Sequence, residues 1–279
     1  MGTVAVPAAD LKSLKDAGFT QPSPKPTKPP RISVATGGST KRGKTHWALI
    51  TPPDPVAVIS LDPGTRQVVD RGTMMGRTIL PKYLDHSKRE DQATAKKLWQ
   101  DYRSAIRAIM ATRSIRTLVI DTISDCWDLI QLAEFGKLKQ NNKFQYGGVN
   151  AEFGGLVDEV YYGRPDLNTI YIQKHKKAYV DDKWDGKAMY AAGFSGLDFL
   201  VDLSLGHTFT GKEGFGITTL STEATRFGPE FSGITMTGDD CSFSALAMHI
   251  FADPEYPDRA KLMGFTDEGN DPEYWGIRL

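Results

Sequence analysis

The run Gly38-Ser39-Thr40-Lys41-Arg42-Gly43-Lys44-Thr45 constrains this chain more than any other. It fits GxxxxGK[ST], and each position has a chemical reason. Glycines adopt backbone angles that turn successive N–H groups toward one point, where they hold phosphate oxygens. Lys44 is placed to reach the β- and γ-phosphates, and Thr45 to set a hydroxyl on magnesium. The pattern requires a strand before it and a helix after it, whose positive end faces the same anion. Ile32 to Ala35 is a short apolar run, and Thr45 to Ile50 reads as a short helix stopped by Pro52 and Pro53. Residues 38–45 are therefore expected to bind ATP with Mg2+.

A P-loop needs a second anchor for the metal. Leu118-Val119-Ile120-Asp121 supplies one, an apolar strand ending in a carboxylate. Ligands gather at that end of the strands in open α/β sheets, so Asp121 is expected to share the magnesium with Thr45. The bland alternative is a helix cap, because Thr122 and Ser124 also suit that role.

Around these motifs the pattern alternates. Val56 to Leu61, Leu118 to Ile120 and Thr169 to Gln173 are apolar runs expected of strands buried on both faces. Residues 91–111 carry Leu98, Tyr102, Ile106, Ile109 and Met110 at helical spacing. Asp125 to Lys137, with Ser124 as cap, and the face Phe153, Leu156, Val157, Val160 and Tyr161 predict two more helices. Leu197 to Leu205 leads into another strand. The fold class expected is α/β: a mainly parallel twisted sheet with helices on both faces. HTFTG, GITTLSTEAT and SGITMTG then predict an antiparallel β extension, and a short helix follows from Ser242.

Residues 1–30 form a separate arm. QPSPKPTKPP holds five prolines in ten residues and predicts an extended linker. Leu11, Leu14 and Phe19 make the arm a candidate for recruiting a protein partner. The domains expected are the arm at 1–30, the core at 31–240, and a short helix and tail at 241–279.

Lysine plus arginine equals aspartate plus glutamate, 34 each, so no global field steers the chain toward nucleic acid. Any such role needs a local basic patch. Two cysteines, Cys126 and Cys241, suggest neither a disulfide framework nor a metal cluster and fit a reducing cytoplasm. No run matches a signal peptide or a membrane span. Residues 174–187, KHKKAYVDDKWDGK, are the one candidate patch. Five lysines and His175 lie near Tyr179 and Trp184. Cations grip phosphates and aromatic faces stack on unpaired bases, although three aspartates leave a solvated hairpin as the alternative.

The order of these elements resembles the RecA-like P-loop NTPases, and most closely the short RecA-like ATP-binding proteins of bacteriophages. The segments are the P-loop, a strand ending at Asp62, the strand ending at Asp121, and a strand ending at Gln173 before YIQKHKKAYVDDKWDGK. The resemblance spans about residues 31–240, and only the P-loop is specific as a motif. It implies an ATPase acting on single-stranded DNA in recombination or strand annealing. It further implies a homo-oligomeric ring or filament in the cytoplasm, the host's if the chain is phage-encoded. Gln173 would sense the γ-phosphate, and Lys174, His175, Lys176, Lys177, Tyr179 and Trp184 would meet DNA. Lys174 and Lys176 would also be placed to reach a neighbour's nucleotide. One departure stands out. The family places a water-activating glutamate where this chain has Ser60-Leu61-Asp62-Pro63-Gly64-Thr65. Asp62 either does that work over a shorter reach, with slow hydrolysis, or merely opens the turn. The rival readings are a P-loop motor (helicase or DNA-packaging ATPase), a small-molecule kinase, and a nucleotide-gated adaptor.

Overall fold

The computed structural model describes residues 31–85, 91–138, 145–180, 183–194, 196–212 and 215–251, with Lys12 and Asp16 besides. The side chains of 177–190 and 209–218 lie outside the described set, as do the rest of the arm at 1–30 and the residues beyond 251. In chain order the elements are β1 (Ser33–Gly38), α1 (Lys44–Ile50), β2 (Val56–Ser60), α2 (Thr65–Met74), β3 (Ile79–Tyr83), α3 (Gln92–Ala111), β4 (Thr117–Asp121) and α4 (Ile123–Phe135). Then come α5 (Tyr146–Gly163), β5 (Asn168–Ile172), β6 (His175–Val180), β7 (Lys183–Ala191), β8 (Leu203–Lys212), β9 (Phe215–Thr225), β10 (Thr235–Thr237) and α6 (Phe243–Phe251).

Eight strands form one sheet in the order β10-β9-β8-β1-β5-β4-β2-β3. From β8 to β3 every pairing is parallel, and β9 and β10 add antiparallel strands beyond β8. This is the expected α/β architecture, a mainly parallel sheet with an antiparallel extension. The continuous apolar runs are explained by helices on both faces. In β2, Val56 and Val58 face a core with Trp47 and Leu49 of α1, Val69 of α2 and Phe243 and Leu246 of α6. Ala57 and Ile59 face the opposite core, with Tyr102 and Ile106 of α3, Ile130 of α4 and Phe153 and Val157 of α5. Each large apolar side chain so buried contributes about 1.5–3 kcal/mol.

Three local expectations differ from what is found. The helix after Asp121 is capped by Thr122, whose hydroxyl accepts from the Asp125 N–H, and Ser124 lies inside the first turn. The segment after Gln173, for which the sequence offers a solvated hairpin only as the alternative reading, is a two-stranded antiparallel ladder, β6–β7. Leu197 to Leu205 does lead into a strand, with a 3-10 turn at Leu197–Phe199 before β8 begins at Leu203. α2 and the edge strand β3 lie in a stretch for which no element was expected. The helix after Ser242 does form, and it joins the main core: Phe243 packs on Trp47 with ring centroids 5.9 Å apart, and its N–H donates to Thr51 Oγ1 at 2.9 Å. No helix among the described residues is long and apolar enough to cross a membrane.

Arg164, fully buried after α5, locks one end of this framework. Its Nη1 donates to the carbonyls of Ile109, Met110 and Thr112 at the end of α3, and its Nη2 donates to Ile115 O. Asp166 takes the remaining fork, at 2.9 Å from Nε and 3.0 Å from Nη2. The guanidinium thus satisfies carbonyls that a helix end leaves orphaned. Arg164→Leu should lower unfolding stability by about 3 kcal/mol or more, because it strands those carbonyls and Asp166. Arg164→Lys should recover only part of that, and urea denaturation of the three proteins reads the difference.

Candidate nucleotide site

β5 lies between β1 and β4, so the P-loop strand and the Asp121 strand are two spacings apart, about 10 Å. α1 bridges that gap. Thr45, in its first turn, donates from Oγ1 to Asp121 Oδ2 at 3.1 Å. The loop itself needs its glycines. Gly38 has φ 139°, and a Cβ there would meet the His207 carbonyl oxygen at 2.5 Å. Gly43, at the helix entrance, has φ 86°. Lys41 holds a left-handed φ of 61°, unusual for a residue with a side chain. The ammonium of Lys44 arches over the loop and donates to the carbonyls of Gly38 and Ser39 at 2.9 and 2.7 Å. Burial holds its pKa below the usual lysine value, against the pull of Asp121 and Asp62.

Asp121 ends β4 and is 1% exposed. Thr65, the first residue of α2, donates to the same Oδ2 at 2.5 Å. Ser60 Oγ lies 2.7 Å from Thr65 Oγ1 and accepts the Asp62 N–H at 3.1 Å. Asp121 Oδ1 is buried and makes no hydrogen bond. Burial pushes this carboxyl up to about 6, with the Thr65 hydroxyl pulling the other way. A buried carboxylate with one bare oxygen, beside a threonine hydroxyl and a lysine, fits a hard cation with phosphate. Thr45 and Asp121 would hold Mg2+, which when bound neutralises charge on the phosphates. Among the described residues no group of three His, Cys, Asp or Glu forms a separate metal cluster.

The remaining site residues fall into place around this centre. Asp62 Oδ1 accepts the Gly64 N–H at 2.7 Å, so its side chain closes the Asp-Pro-Gly turn. Gln173 is buried just past β5, and its N–H donates to Thr36 O of the P-loop strand at 2.8 Å. His175 stacks its ring on Gly37, where any Cβ would collide with it. Lys174 is ion-paired to Asp125 at 2.7 Å, and Lys176 is exposed. The side chains of Lys177, Tyr179 and Trp184 lie outside the described residues. Sequence reasoning missed Thr65, Ser60 and His207. His207 pairs in register with Gly38 and is buried edge-on against Trp47. Burial, reinforced by Lys44, pushes it down to about 3, so it is neutral.

Residues 31–192 match the family described as AAA domain. The chain belongs to that family. The matched span holds the P-loop, Thr65, Asp121 and Gln173, and the chain is a P-loop ATPase of this family. No curated protein matches it. Among solved structures it is similar to a KaiC-like protein of the hyperthermophilic archaeon Pyrococcus horikoshii OT3, with 14% identity and a TM-score of 0.44 over 75% of this chain and 86% of that one.

Two outcomes follow from Asp121. Its folded pKa, about 6, lies above the unfolded value of 3.8. The folded state therefore holds the extra proton between those values, and stability falls as pH rises from about 4 to 6. Two pKa units correspond to roughly 3 kcal/mol. In nucleotide-free, metal-free protein, Asp121→Asn should remove that fall and be the more stable form at pH 7, as read by denaturant titration across pH. Thr65→Val deletes a hydrogen bond to a charged oxygen beside the metal position. It should raise the Mg2+ needed for half-maximal ATP binding about tenfold while leaving the fold intact.

Proposed function

We propose that this ATPase acts on single-stranded DNA, in strand annealing or recombination, through the β6–β7 hairpin. Placement carries the reading: the basic, aromatic segment is a hairpin that leaves the sheet directly after Gln173, beside the P-loop strand. The register sets Tyr179 across from Trp184, so two aromatic positions share one level of the ladder. Such a pair suits stacking on unpaired bases, and Lys176 offers a charge to the backbone.

ATP with Mg2+ serves in this reading mainly as a switch for assembly of protomers on DNA. Asp62 supports slow hydrolysis, because its carboxylate is engaged in its own turn. An aspartate is also one methylene shorter than the glutamate of related enzymes. Misplacing an attacking water by that order costs about a hundredfold in rate.

The test is ATP turnover with and without single-stranded DNA, with Lys44→Ala as the inactive baseline. DNA should stimulate the native protein. Lys176→Ala should weaken DNA binding and flatten its salt dependence, the slope of log K against log salt dropping by about 0.7 for one lost phosphate contact. Turnover indifferent to DNA, together with an unchanged slope, rules the hairpin out as the DNA contact.

A further inference from the structure

We infer that Ser124 is a positioning residue that transmits the state of the nucleotide site to the β6–β7 hairpin. Its hydroxyl is 5% exposed and grips both feet of the hairpin. It accepts the Lys174 N–H at 3.0 Å, just before β6, and donates to Ala192 O at 2.7 Å, just after β7. The two feet also bond each other, Ala192 N–H to Lys174 O at 2.7 Å. One hydroxyl therefore closes the base of the ladder onto the first turn of α4.

That turn is continuous with the metal-site strand. Asp121 is three residues before Ser124. Thr122 Oγ1 both accepts the Asp125 N–H at 3.2 Å and lies 2.7 Å from Asp125 Oδ2. Asp125, buried at 3% exposure, binds the Lys174 ammonium with both oxygens, at 2.8 and 2.7 Å. Gly193 has φ 101°, and a Cβ there would stand 3.4 Å from the Ser124 Cα, so the chain leaving the hairpin runs tightly over this turn. A shift of Asp121 as the site fills moves the Thr122–Asp125 turn, and the turn carries both feet with it. Gln173 reaches only the β6 side through the chain, whereas Ser124 holds both sides.

The inference rests on nucleotide binding at the P-loop and not on DNA. Its test is hydrogen–deuterium exchange of the full chain with and without Mg2+ and a non-hydrolysable ATP analogue. Affinity for the analogue is measured separately. In the native protein, amides of 175–180 and 183–191 should change their exchange rate about fivefold or more on binding, as expected for a locally re-anchored unit. In Ser124→Ala that difference should vanish while affinity stays within about twofold, since Ser124 touches no phosphate position. Ser124→Cys keeps the volume, weakens both bonds, and replaces the alanine variant should that fail to fold; it should lose most of the difference. Lys174→Met cuts only the ion pair and should retain most of it. Coupling through Ser124 is overturned if Ser124→Ala shows the native difference, or if the native hairpin ignores bound nucleotide. Absence of nucleotide binding in the native protein overturns both this inference and the ATP-switch reading, and the affinity measurement tells the cases apart.

Discussion

The nucleotide site depends on burying one carboxylate. Asp121 is withdrawn from water at the end of β4, where β2 and β5 flank it on either side. Burying a charge that way is costly unless partners compensate. Here the compensation is one-sided: Thr45 and Thr65 both donate to Oδ2, and Oδ1 receives nothing. The fold tolerates this because the surrounding strands are packed on both faces by helices from two separate cores. A carboxylate that would hold a divalent cation is thus kept in place by packing, and its tension is electrostatic. The two threonines come from the starts of α1 and α2, so the same carboxylate also fixes where those helices enter.

Two histidines crowd the end of the P-loop strand. A Cβ at Gly37 would run into the His175 ring, and one at Gly38 into the backbone carbonyl and Cβ of His207 on the neighbouring strand. Both rings are pushed toward the neutral form, by burial first and then by Lys44. Neutral rings add volume without adding charge that would compete with Lys44 for phosphate. The two glycines are therefore needed for different reasons, Gly37 for room beside the His175 ring and Gly38 for its backbone angle and the close approach of the His207 carbonyl.

What the sequence made legible follows from how strict the physics is at each place. Phosphate binding demands glycines and a lysine in fixed order, and β2, β4 and β5, buried on both faces, demand continuous apolar runs. β3 makes no such demand: Leu80, Pro81 and Lys82 are exposed on a sheet edge, where proline is tolerated. α2 buries only Thr65, Val69 and Gly72, too few to write a helical stripe, so nothing in the sequence marks Thr65 as a site residue. Ser124 resembled a cap because serine often is one. Thr122, two residues earlier, already has the extended backbone that a cap requires and accepts the Asp125 N–H, which frees the Ser124 hydroxyl for another use. The hairpin is legible only as an alternative, because its lysines and aspartates carry no alternation of apolar and polar residues.

The charges of that hairpin divide into two jobs, and the division follows from which of them meet a partner in the body of the protein. Lys174 is held by a buried aspartate, and His175 lies on Gly37. These residues anchor the feet and have little left to offer a polyanion. Lys176 is the first exposed basic residue along the strand. A chain with no net charge has no long-range field to draw nucleic acid toward it. Attraction must then come from few contacts at short range, screened beyond about 8–10 Å at ordinary salt. Stacking of bases on aromatic positions 179 and 184, as proposed, would be insensitive to salt and so would gain weight where charge is scarce. In the role proposed for it, a hairpin of this composition would grip unpaired bases more readily than a duplex backbone, because a duplex hides the base faces on which aromatics stack.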